Sequence, residues 1–103
     1  MTCSKAKLND VEEGERILKI LGSYARLRIL STLAAHLDED LTLYRIVQLS
    51  KLKRESVRYN LPLLVGAGLV NARTYGTAHL YALNRNNPLA KQWIEFVLKA
   101  RIL

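Results

Sequence analysis

A single cysteine in 103 residues, Cys3, leaves no partner for a disulfide within the chain and no thiol set for a cysteine-rich metal cage. Its place near the start of the chain favours a plain free thiol, with a disulfide between two copies as the lesser alternative. Long apolar runs are missing too. Half the residues are apolar, yet no stretch approaches the ~18 to 20 uncharged residues of a membrane span, and Met1-Thr2-Cys3-Ser4-Lys5 opens no apolar signal segment. A cytoplasmic protein is expected. There is no Gly-rich phosphate loop, because Gly66-Ala67-Gly68 follows a helix-forming stretch instead of opening one. No Ser/His/Asp or paired-carboxylate arrangement stands out, and the consecutive Asp38-Glu39-Asp40 would be scattered by any regular element, so a solvated loop is expected there. His36 and His79 are too far apart in sequence to suggest a site. Catalysis, metals and cofactors therefore find no support.

Acids are scarce from residue 41 onward. Ten Lys or Arg (residues 45, 51, 53, 54, 58, 73, 85, 91, 99 and 101) face only Glu55 and Glu95, a local balance of +8, whereas residues 1–40 sum to −1. A basic half on a small chain is the electrostatic footprint of a protein that meets phosphate backbones or acidic membranes. Nothing here reads as a lysine-rich amphipathic helix, and nucleic acid is the better fit. Without linker, repeat or low-complexity tract, residues 1–103 are expected to form one domain, small enough to gain from a partner.

Periodicity supplies the elements. Asp10-Val11-Glu12-Glu13 has the order of a capping box, and Val11, Ile17, Leu18 and Leu21 follow at helical spacing, so an opening helix should end near Gly22. Ser23 caps a second helix in which Leu27, Leu30, Leu33, Ala34 and Leu37 form the apolar stripe and Arg26 and Arg28 are expected to face outward. A short helix starts at Thr42 with Leu43, Ile46, Val47 and Leu49 inward and stops at Ser50-Lys51; another, spanning about 53–65, begins within a few residues, the spacing of a helix-turn-helix. Strand formers at 69–75, a turn at Gly76-Thr77 and a return over 79–83 predict a hairpin. Asn87-Pro88 opens a closing helix to about Arg101, whose apolar positions wrap more than one face and ask for two neighbours.

Residues 53–65 followed by Ala67-Gly68-Leu69-Val70 place a cationic helix directly before the hairpin. This order, with Leu27-Arg28-Ile29-Leu30 and Leu33 ahead of it, Leu41-Thr42-Leu43 opening the short helix and Leu52 in the turn, resembles the ArsR-like winged helix-turn-helix regulators over residues 22–83. The resemblance implies a mainly α fold with a small β-hairpin: a DNA-binding core at 22–85 with its wing near 69–84, an arm at 1–8, and dimerisation helices at 9–21 and 87–103. It places Lys53, Arg54, Glu55, Ser56, Arg58 and Tyr59 toward the major groove. The chemistry agrees, since Arg bonds both acceptors of a guanine edge, Ser meets several bases and Glu accepts from cytosine N4. Lys51 and Lys53 suit phosphates, while Arg73, His79 and Arg85 suit the adjacent backbone or minor groove. Ile17, Leu18 and Leu21 with Trp93, Ile94, Val97 and Leu98 offer the apolar surface for a homodimer.

Three positions depart from the family pattern. Lys51 replaces a turn glycine, so the turn either avoids the left-handed region or strains Lys51; Asn60 replaces a histidine; and Pro62 sits inside the recognition helix, favouring a kink. The cysteine pair or His and acidic ligands by which many relatives sense metals are missing: residues 43–49 hold no Cys or His, and Glu95 is the closing helix's sole candidate ligand. The expectation is a homodimeric, sequence-specific regulator bound to double-stranded DNA, without a metal response. The alternatives are a winged-helix module docking a protein in a transcription or replication assembly, and an architectural protein coating DNA without sequence choice.

Overall fold

The computed structural model describes residues 22–100. The expected arm at 1–8, the opening helix with Ile17, Leu18 and Leu21, Cys3, and residues 101–103 lie outside the described residues. Those described form four helices and one hairpin: α1 (Tyr24–Ala35), α2 (Leu43–Ser50), α3 (Arg54–Gly66), β1 (Val70–Tyr75), β2 (Ala78–Leu83) and α4 (Pro88–Ala100). This is a winged helix-turn-helix.

Three of the four described helices start where a side chain satisfies a first-turn donor. Ser23 accepts from the Arg26 amide and Thr42 from the Arg45 amide, while Asn87 Oδ1 accepts from the Leu89 amide at 2.8 Å. Lys53, at the start of α3, makes no side-chain cap. The core gathers Ile29, Leu30 and Leu33 of α1, Ile46 of α2, Val57, Leu61 and Leu64 of α3, Leu69, Val70 and Leu83 at the base of the hairpin, and Ala90 and Val97 of α4. Val97 is therefore a correction: it is fully buried inside the chain, because the inward face of α4 closes over α1, and it has no surface to give a partner.

Arg26 and Arg28 also turn inward, contrary to the outward face expected of them. Arg26 Nη1 donates to Asn60 Oδ1 of α3 at 2.8 Å, and Arg28 Nε donates to the Ser50 carbonyl at the end of α2 at 2.9 Å. A cation at a helix C-terminus meets carbonyls that lack intrahelical partners. One helix thus pins both members of the helix-turn-helix.

The turn between α2 and α3 takes the strained alternative, with Lys51 left-handed at φ 63 and ψ 22 and its amide bonded to Val47. Glycine adopts this region without a Cβ clash. Lys51→Gly is expected to stabilise the fold by about 0.5–1 kcal/mol, net of the entropy glycine adds to the unfolded chain, while removing one exposed cation. Urea unfolding checks the first effect; a lower midpoint would show the turn unstrained. α3 runs as one helix through Pro62, which with Arg58 lies on the exposed side.

The hairpin pairs Val70 with Leu83 through Tyr75 with Ala78, and Gly76 (φ 61) takes the first place of its two-residue turn, where a type II′ turn needs glycine. Leu41, expected to open the helix, is instead extended and exchanges backbone hydrogen bonds with Tyr81 at 2.9 and 2.8 Å, anchoring the hairpin beside α2.

Candidate nucleic-acid interface

Helix periodicity and the hairpin's reach decide which side chains share a surface. Val57, Asn60, Leu61 and Leu64 occupy the inner face of α3, which leaves Lys53, Arg54, Glu55, Arg58 and Tyr59 exposed, with Ser56 half-buried between the two faces. Arg54 and Arg58, one turn apart, project from the same side. Lys51 is exposed at the turn just before them. Among the described residues, none of Lys51, Lys53, Arg54 and Arg58 is held in an ion pair. Four uncommitted cations beside the positive end of a helix form a surface prepared for anions. Glu55 in the first turn of α3 interacts favourably with the helix dipole, in addition to any role toward a base.

The hairpin carries His79 and Arg73 on exposed strands, with residues 71–79 all exposed, and Arg85 exposed just beyond. Arg73 is the qualified member: its guanidinium is bonded to the Asp40 carboxylate, so the loop expected to be merely solvated holds one wing cation. A phosphate has to compete with Asp40 for that group.

Two further parts of the site were not singled out from sequence. Asn60 is buried and bridges Arg26 to Ser56; its departure from the family pattern was visible, its partners were not. Tyr44, Arg45 and Gln48 are exposed on α2, Gln48 Nε2 donating to the Tyr44 hydroxyl at 3.1 Å, and their spacing opposite Ile46 was the available signal. Among the described residues no three His, Cys, Asp or Glu side chains are arranged to hold a metal ion, and no helix is long and apolar enough to cross a membrane.

No protein-family model and no curated protein matches the chain. Solved structures do. The homodimeric winged helix-turn-helix DNA-binding domain of a possible ArsR-family transcriptional regulator from Mycobacterium bovis is 26% identical, with 98% of this chain and 88% of that one covered and a TM-score of 0.71. NolR from Sinorhizobium fredii is 17% identical over 97% and 95% of the two chains, TM-score 0.75. The transcriptional repressor PagR of Bacillus anthracis is 24% identical over 87% and 98%, TM-score 0.70. The chain thus has the winged helix-turn-helix fold of ArsR-like transcriptional regulators, which are its structural neighbours.

Proposed function

We propose that this protein is a non-catalytic, cytoplasmic transcriptional regulator that binds double-stranded DNA sequence-specifically as a homodimer, with α3 in the major groove and the wing on adjacent backbone or minor groove. The observation that carries the reading is the outer face of α3, where Lys53, Arg54 and Arg58 stand exposed without ion-pair partners among the described residues. A surface helix with no further role usually pairs its charges along the helix. The neighbours support it: one is described as a homodimeric DNA-binding domain and another as a transcriptional repressor. The reading contains no metal-responsive step.

For the dimer, α4 supplies Phe96, 54% exposed, and Leu98, 61% exposed, with Trp93 and Phe96 stacked at 5.5 Å between ring centroids. Beside them a mostly apolar hollow of about 280 Å³ is lined by Leu30, Leu69, Leu83, Leu89, Ala90, Gln92, Trp93 and Phe96. Ile94 is half-buried nearby. Apolar surface of this kind is an aggregation liability unless covered. A two-fold arrangement would present two copies of α3 to half-sites about one helical turn apart. In this reading, residues 22–85 form the DNA-binding core and the terminal helices the dimer contact.

Binding to a selected duplex and to a random one, at two salt concentrations, tests the function. Arg54→Ala and Arg58→Ala are expected to cost ~1–3 kcal/mol on the selected site and relax one base position each, whereas Lys53→Ala and Arg73→Ala weaken all sequences alike. Equal wild-type affinity for both duplexes would instead identify a DNA-coating protein. No measurable binding to either would favour a protein-docking module.

A further inference from the structure

Among the described residues, Lys51, Lys53, Arg54, Arg58 and Arg85 hold no ion pair, whereas the guanidinium of Arg73 on the wing is bonded to the Asp40 carboxylate. Backbone already fixes where the wing stands. Leu41 exchanges hydrogen bonds with Tyr81 at 2.9 and 2.8 Å, and Asn84 and Asn87 hold the Gly68 carbonyl at the wing's root. The Leu41 bridge also tethers Asp40, the preceding residue, beside the hairpin and within reach of Arg73. The Arg73 side chain is 62% exposed, and an ion pair so open to water adds little to the stability of a fold. Its larger consequence is for the charge that the wing can offer.

We propose that Asp40 makes an autoinhibitory contact: it neutralises Arg73 and restrains the wing's grip on the DNA backbone. The inference rests on the DNA-binding function proposed above and deepens it. An unpaired arginine that settles on a phosphate releases a counterion condensed on the duplex. Arg73 has to leave Asp40 first, and the carboxylate it abandons gathers a cation in turn and repels the phosphates nearby. The exchange releases almost no net salt. Wild type therefore binds DNA more weakly, and with a shallower salt dependence, than its exposed cations alone would give. Phosphates carry no sequence information, so the restraint acts on all duplexes alike.

Titration of wild type, Asp40→Asn, Arg73→Ala, the double variant and Asp38→Asn against a selected and a random duplex, over a series of salt concentrations and with a thermal melt of each, tests this. Asp38 is exposed in the same loop and holds no cation among the described residues, so Asp38→Asn makes the same change of charge without releasing Arg73. Asp40→Asn is expected to tighten both duplexes about threefold to fivefold, the upper worth of an exposed ion pair, and to steepen log affinity against log salt by about one unit of slope. Both changes should vanish when Asp40→Asn is made on top of Arg73→Ala, and Asp38→Asn should leave the slope where it was. Unchanged affinity and slope in Asp40→Asn overturn the proposal and leave the DNA-binding function standing. Weaker binding by Asp40→Asn, or loss of its cooperative melt, also overturns it, by making the pair a brace for the wing. So does an equal gain from Asp38→Asn, or a gain that survives Arg73→Ala, because net charge would then be the cause. A wild type that binds neither duplex overturns the function and the proposal together.

Discussion

Leu98→Asp is expected to leave the chain folded and convert a dimer into a monomer. Leu98 is 61% exposed in the single chain, so its own core loses little when it changes, within the ~0.5 kcal/mol usual for surface substitutions. In a dimer built on α4 the same residue is covered, and an aspartate there is either desolvated without a partner or forces the contact apart, at ~3–5 kcal/mol. The dimer dissociation constant should therefore rise more than about a hundredfold. Binding to a two-half-site operator should fall with it, while any residual affinity for one half-site persists. Sedimentation of wild type and variant, with a thermal melt to confirm folding, is the measurement. A monomeric wild type at micromolar concentration, or a variant that stays dimeric, would remove α4 from the interface. Val97→Asp is the control for the opposite case, since a charge at that fully buried position should unfold the chain and not merely divide it.

The second large effect is expected at Ile46. α2 has only eight residues, too few to persist as an isolated helix, and just Ile46 and Ser50 are buried along it. Ile46 has no exposure at all, whereas Leu43, Val47 and Leu49 are only partly covered. Ile46→Ala should cost ~2–5 kcal/mol in urea unfolding, a large share of the ~5–15 kcal/mol that holds a typical domain together. In the proposed function, affinity for DNA should weaken further than the folded fraction explains, because α2 and its link to α3 set where α3 stands. A cost below ~1 kcal/mol would mean that the surrounding helices collapse into the space.

What could be read from the sequence was local. Ser23, Thr42 and Asn87 cap helices at the positions expected of them, and Gly76 turns the hairpin, because each acts on backbone within three residues of itself. The heptad-like stripe of α1 named Leu30, Leu33 and Ala34 as core for the same reason. What escaped was set by partners distant in sequence. Arg26 meets a residue 34 positions away, Arg28 one 22 away, and Arg73 one 33 away. Periodicity shows that a side chain leaves one face of a helix, but not that a polar group waits for it there. Val97 was misplaced by a related gap. On a helix apolar around more than one face, spacing does not say which face the chain's own core claims. Lys51 shows a third kind: the sequence left two turn geometries open, and tertiary packing of α2 against α3 selected the one that strains a lysine.

Asn87 does more than begin α4. Its side-chain oxygen takes the Leu89 amide while its nitrogen, with that of Asn84, grips the carbonyl of Gly68, the left-handed residue at which α3 gives way to the wing. Mechanically, the start of α4 and the root of the wing are riveted at one backbone oxygen. A rotation of α4 against its neighbours cannot be absorbed silently by a slack loop: it either carries the wing with it or breaks a short hydrogen bond. Whatever load a partner places on α4 is therefore felt at Gly68, midway between the end of α3 and the start of β1.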